Sequence, residues 1–132
     1  MAKQLLTAAN IKYLLVMNEL MQDGKGVRCV DIADSLGITR PSVHTMMNTL
    51  RDMQLIRKDR YGEAFFTDDG RDLAERYARY FDAICGSLSS LLANEADVKA
   101  AAYALLAEVP EKSLEGMLRA PEPDASSLRE AL

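Results

Sequence analysis

The stretch DIADSLGITRPSVHTMMNTLRDMQLI, residues 31–56, decides the fold. Its beginning predicts a short helix over Val30 to Leu36, with Val30, Ala33 and Leu36 turned inward and Gly37 as its stop. Thr39 then offers a side-chain oxygen to a new helix N-terminus. Pro41 falls in that helix's first turn, where a missing N–H costs nothing. The second helix runs to about Met53, with Val43, Met46, Met47, Leu50 and Met53 on one stripe. Two such helices joined only by Gly37-Ile38-Thr39 form a helix-turn-helix. Ala33 is small where the helices cross, Ile38 and Val43 plug the angle between them, and Leu50 packs the second helix on the first.

Upstream, Asn10 to Gln22 reads as a helix through Ile11, Leu14, Leu15 and Met21, ended by Asp23-Gly24-Lys25-Gly26. Val27-Arg28-Cys29 is a short extended piece. Downstream the period changes to two. Leu55 to Arg60 and Ala64 to Thr67 flank Tyr61-Gly62-Glu63, which predicts a hairpin, the wing of a winged helix. A long helix follows, capped by Thr67-Asp68-Asp69-Gly70 and reaching about Leu92, with Leu73, Tyr77, Tyr80, Phe81, Ile84, Leu88 and Leu91 on its apolar face. Another spans about Glu95 to Val109 through Val98, Ala102, Leu105 and Leu106. Pro110 closes it, and a short helix is expected over Lys112 to Arg119. Residues 121–127, PEPDASS, have a disordered composition.

The expected architecture is therefore mainly α. A winged helix-turn-helix of three helices and a two-stranded β-wing occupies residues 1–69. A C-terminal helical dimerisation region follows over 70–119, and a flexible tail over 120–132. The helices of 70–109 are richer in Leu, Ala and Tyr than a monomeric appendage needs, which points to a homodimer.

The net charge of −4 is unevenly spread. Residues 81–132 hold 4 Lys/Arg and 9 Asp/Glu, whereas residues 25–60 hold 7 and 4. The acidity lies C-terminally and the middle is mildly basic, compatible with a local DNA footprint. Away from the core stripe, the second helix of the pair presents Thr39, Arg40, Ser42, His44, Thr45 and Asn48. Such side chains read base edges and phosphates in the major groove, with Arg suited to guanine and Asn to adenine. Pro41 and the Thr39 methyl suit thymine methyls. Arg57, Lys58 and Arg60 on the wing suit adjacent phosphates.

An enzyme is not expected. One histidine, His44, and two distant cysteines, Cys29 and Cys85, assemble neither a catalytic triad nor a metal cluster. Gly24-Lys25-Gly26 lacks the spacing of a phosphate loop. No apolar run approaches the ~20 residues of a membrane span, and the N-terminus lacks the order of a secretory signal, so a cytoplasmic location is expected. The cysteines read as small core residues.

DIADSLGITRPSVHTMMNTLRDMQLI, the wing, FFTDDGRDLAERYARYF and the helices beyond resemble the iron- and manganese-dependent repressors, the group of the diphtheria toxin repressor and the manganese transport regulator, over roughly residues 10–118. The resemblance implies a dimer paired through C-terminal helices, a palindromic operator in double-stranded DNA, and a metal switch. The positions matching that family's ligands are Asn10 to Leu15 in the first helix, Tyr80 in the long helix, and Tyr103, Leu106 and Ala107 in the next. Manganese and iron need carboxylate and imidazole ligands, so no metal or other cofactor is expected. Met17, Met21, Cys85, Glu108 and Glu111 form an alternative set, but Met at helical spacing belongs to a core. Two consequences stay open: constitutive DNA binding, or a pocket for an unknown small effector lined by Tyr80 and Tyr103. The alternatives to a sequence-specific regulator are a winged-helix protein-interaction adaptor and a MarR-like regulator answering a small organic ligand.

Overall fold

A computed structural model describes residues 6–21 and 24–119. The order is α1 (Ala8–Leu20), β1 (Val27–Arg28), α2 (Cys29–Leu36), α3 (Arg40–Asp52), β2 (Ile56–Lys58), β3 (Glu63–Phe66), α4 (Asp68–Leu88), α5 (Glu95–Glu108) and α6 (Glu111–Arg119). This is the expected winged helix-turn-helix followed by a helical region. The stretch 121–127 lies outside the described residues.

Local chemistry explains the helix ends. α1 begins two residues earlier than the apolar spacing suggested because Thr7 and Asn10 cap it reciprocally: Asn10 N donates to Thr7 Oγ1 and Thr7 N to Asn10 Oδ1, both at 3.0 Å. Gly37 ends α2 in the left-handed region, φ 67°. Thr39 accepts from Ser42 N and opens α3. Asn94 accepts from the amides of Ala96 and Asp97 and opens α5.

The sheet has three strands rather than the two of the hairpin, in the order β1-β3-β2, all antiparallel. Val27 pairs with Ala64, and Ile56 with Phe66. The third strand is preceded by Gly26, where a Cβ would stand 2.7 Å from Phe65 Cζ. A larger residue there would have to push the Phe65 ring aside.

Two apolar clusters form. One joins Leu14, Met17, Val27, Ile32, Val43, Met47, Leu50, Ile56 and Phe66 under the helix-turn-helix. The other joins Ile11, Leu15, Tyr77, Tyr80, Ile84, Ala102, Leu106 and Leu114. α1 serves both, which is why it is buried on nearly every side.

Three inward assignments need correction. Ile38 is 38% exposed, because the turn at Gly37 swings it out; the fully buried Ile32 fills the angle with Val43 instead. Leu91 is 78% exposed, since α4 stops at Leu88. Leu105 is also partly exposed, on the outward side of α5. Both cysteines are half-buried and unpaired rather than fully buried.

The start of α4 is tied to the wing. Thr67 N donates to Leu55 O at 3.0 Å, Thr67 Oγ1 to Gln54 O at 2.8 Å, and Gly70 N to Thr67 Oγ1 at 3.0 Å. Gly70 lies directly on the Leu55 carbonyl. Gln54 accepts a left-handed backbone, φ 64°, to bring its carbonyl to this joint.

Candidate nucleic-acid interface

α3 buries Val43, Met47 and Leu50 and turns its other side outward. Thr39, Arg40, Pro41, Ser42, His44, Thr45 and Asn48 are all exposed. Thr49 adds a further exposed hydroxyl that the pattern reading left out; its Oγ1 donates to Thr45 O, as Thr45 Oγ1 donates to Pro41 O. Cys29 Sγ lies 3.8 Å from His44 Nδ1, so the start of α2 touches the middle of α3.

The wing meets this helix. Lys58 Nζ donates to Asn48 Oδ1 at 3.0 Å, which leaves the Asn48 amide NH2 free of that contact. Arg57 stands over the Phe65 ring, 5.9 Å from its centre. At the tip, Asp59 Oδ1 accepts from Tyr61 N at 2.8 Å and Glu63 N at 2.9 Å. One oxygen of the Asp59 carboxylate is thereby committed to the turn. Asp52 pairs with Arg51 at 3.6 Å. The turn lifts Tyr61 to 72% exposure between Arg60 and Gly62. The sequence signal for such an exposed ring is an aromatic residue in a four-residue turn begun by Asp59.

Tyr80 and Tyr103 do not share a pocket. Tyr80 is 2% exposed and its hydroxyl donates to Glu111 Oε2 at 3.0 Å. Tyr103 packs on Phe81, ring centres 4.7 Å apart, and lines a separate cavity with Leu15, Glu19 and Asp82. Periodicity placed Tyr80 inward and the resemblance added Tyr103, but neither shows that the two find different neighbours, Glu111 for Tyr80 and Phe81 for Tyr103. The cluster it missed is Arg76, Tyr80 and Glu111. Arg76 Nε donates to Glu111 Oε2 at 2.7 Å, and Nη1 pairs with Asp72.

Burial, then the hydrogen bond and charge of Glu111, push the Tyr80 phenol up to about 12. A raised acid favours the folded state while it stays protonated. That stabilisation is complete below pH ~10, the unfolded value, and is lost as pH rises through about 12. Denaturant melts of wild type and Tyr80→Phe should therefore diverge in slope between pH 10 and 12, with the variant flatter. Parallel slopes would show that Tyr80 does not titrate in this way.

The positions at which the resemblance places metal ligands do not fit a divalent cation. Asn10 is committed to Thr7 and, through Nδ2, to Met46 Sδ at 3.2 Å. Tyr80 is held by Glu111, Leu106 is core, and Ala107 has no donor. Met17 and Met21 sit in the first apolar cluster, apart from Cys85 beside the second. Among the described residues no three His, Cys, Asp or Glu side chains gather as a metal site. No described helix is long and apolar enough to cross a membrane.

Residues 12–60 match the IclR helix-turn-helix domain. No curated protein matches the sequence. Among solved structures, the manganese regulator SloR is 25% identical with a TM-score of 0.68, over 86% of this chain and 54% of its own. The hypothetical protein SSo2273 from Sulfolobus solfataricus is 18% identical with a TM-score of 0.64, over 86% and 88%. IdeR of T. acidophilum is 21% identical with a TM-score of 0.63, over 89% and 55%. The chain spans about half the length of SloR and of IdeR. The matched domain and the neighbour at 25% identity belong to regulators rather than enzymes. The chain carries the winged helix-turn-helix of a DNA-binding transcription regulator.

Proposed function

We propose that the chain is a homodimeric, sequence-specific regulator that lays α3 in the major groove of a palindromic operator and works without a metal switch. The observation that carries this reading is the exposed polar face of α3, joined to the basic wing by Lys58 and Asn48. Arg40 and Asn48 read bases, Ser42, His44 and Thr45 contact base edges or phosphates, and Thr39 and Pro41 meet thymine methyls. Arg57, Lys58 and Arg60 bind flanking phosphates. The division at residue 69 separates the DNA-binding part from the dimerising part, and the protein acts in the cytoplasm. Leu105, Met117 and Leu118, about two-fifths exposed on α5 and α6, support pairing through these helices. In the dimer the two α3 helices lie about 34 Å apart or a multiple, one turn of DNA.

Selection from a random duplex library tests this, once with chelator and once with manganese, iron and zinc salts. A palindrome enriched in both arms is the expected result. Enrichment only with metal would restore the switch, and none in either arm would favour a protein-interaction adaptor. On the selected site Arg40→Ala should weaken binding more than on random DNA, by about 1–3 kcal/mol if it reads a base. Equal loss on both would reduce Arg40 to a phosphate contact.

A further inference from the structure

A cavity of about 450 Å³ opens between Leu6, just ahead of α1, the first half of α4 and the turn from α5 to α6. That is within the range of small-molecule sites. Leu6, Leu73, Leu106 and Val109 give it apolar walls, and Tyr77 adds an aromatic one. Its charged groups are Arg76, Glu108 and Glu111, a net negative set.

The chemistry of that set selects the ligand. Arg76 is already engaged by two carboxylates, Asp72 and Glu111. An entering anion would have to displace one of them and then sit in a wall of like charge. Glu108, by contrast, stands exposed at the C-terminal end of α5, and among the described residues no cation pairs with it. A carboxylate, a tyrosine ring and aliphatic walls together accommodate a cation with an apolar body, through ion pairing, cation–π attraction and burial.

We propose that this cavity binds a lipophilic organic monocation of the aromatic quaternary ammonium class, its charge held by Glu108 and Tyr77. It is a different place from the one the sequence suggested, since Tyr103 takes no part in it. The ligand would touch Leu6, just ahead of α1, together with α4 and the α5–α6 turn, and so is placed to alter how the start of α1 packs on the C-terminal helices. That this makes it an effector rests on the DNA-binding reading; the binding itself does not.

The test uses the whole chain without DNA, titrated by calorimetry and followed by amide spectra. The probes are benzyltriethylammonium and, as an anion of similar size, 4-phenylbutyrate. The cation is expected to bind saturably and the butyrate at least tenfold more weakly. Ala107→Phe, which fills the cavity without touching a charge, should abolish cation binding. Glu108→Lys should weaken it by about tenfold or more, as an attraction becomes a repulsion. Melting curves confirm that both variants fold. No binding of the cation, binding of the butyrate as tight or tighter, or cation binding unchanged in both folded variants would each overturn the proposal. A failed operator selection leaves these titrations intact, and failed titrations leave the selection intact.

Discussion

Gly70→Ala should destabilise the protein by about 3 kcal/mol or more, a large share of the stability of an ordinary domain. A Cβ at this position would be driven into the carbonyl of Leu55, with the carbonyl carbon 2.8 Å away. The obstacle is backbone, and that backbone is pinned by Thr67 on both Gln54 and Leu55. No side chain can rotate aside, so α4 must lift from the wing. Gly86 supplies the contrast within the same helix: nothing lies within 4 Å of its added Cβ. Gly86→Ala should stabilise by roughly 0.5–1 kcal/mol, because alanine loses less backbone freedom on entering a helix. Urea unfolding of the two variants gives opposite signs if the contact governs. Two changes of the same sign would mean that α4 responds to helix propensity alone.

The second large effect lies in the wing. Replacing Arg57, Lys58 and Arg60 together by glutamine should cut the dimer's affinity for the selected site on the order of a millionfold at low salt, taking about 1.5 kcal/mol for each of its six charge-assisted contacts. The diagnostic is the salt dependence. Each phosphate contact contributes about 0.9 to the slope of log K against log salt, so a dimer losing six should lose about 5 from that slope. Lys99→Gln, on the exposed side of α5 beside Glu95, should leave both quantities unchanged. A triple variant with the wild-type slope would remove the wing from the DNA.

The helix-turn-helix was legible because its signals are local. A glycine stop, a threonine cap, an N-terminal proline and an apolar stripe act within a few residues of themselves, and Gly37, Thr39, Pro41 and Val43 all do in the structure what their types dictate. The polar face of α3 followed by subtraction. What escaped was set by partners distant in sequence. β1 joins the sheet through a gap beneath Phe65, 39 residues after Gly26. Ile32 is buried where Ile38 was expected to be, because the angle between α2 and α3, which no spacing encodes, decides which side chain turns inward. The separation of Tyr80 from Tyr103 depends on Glu111 arriving from α6, 31 residues further on. Helical spacing tells which residues turn inward. It does not tell which neighbours they find there.

The double service of α1 bears on how this protein can change over generations. Tyr13, Leu14 and Met17 belong to the DNA-facing cluster, while Ile11 and Leu15 belong to the C-terminal one. A helix with a spare polar side can be grafted onto a new companion, but this one has almost none. Swapping the C-terminal helices for those of another regulator would strand Ile11 and Leu15 in water, while redesigning their face would disturb Leu14 and Met17, one and two positions from Leu15. The two halves therefore descend as a single heritable unit. Novelty is channelled to the places α1 does not touch: the outward side of α3, the tip of the wing and the outer surface of α6.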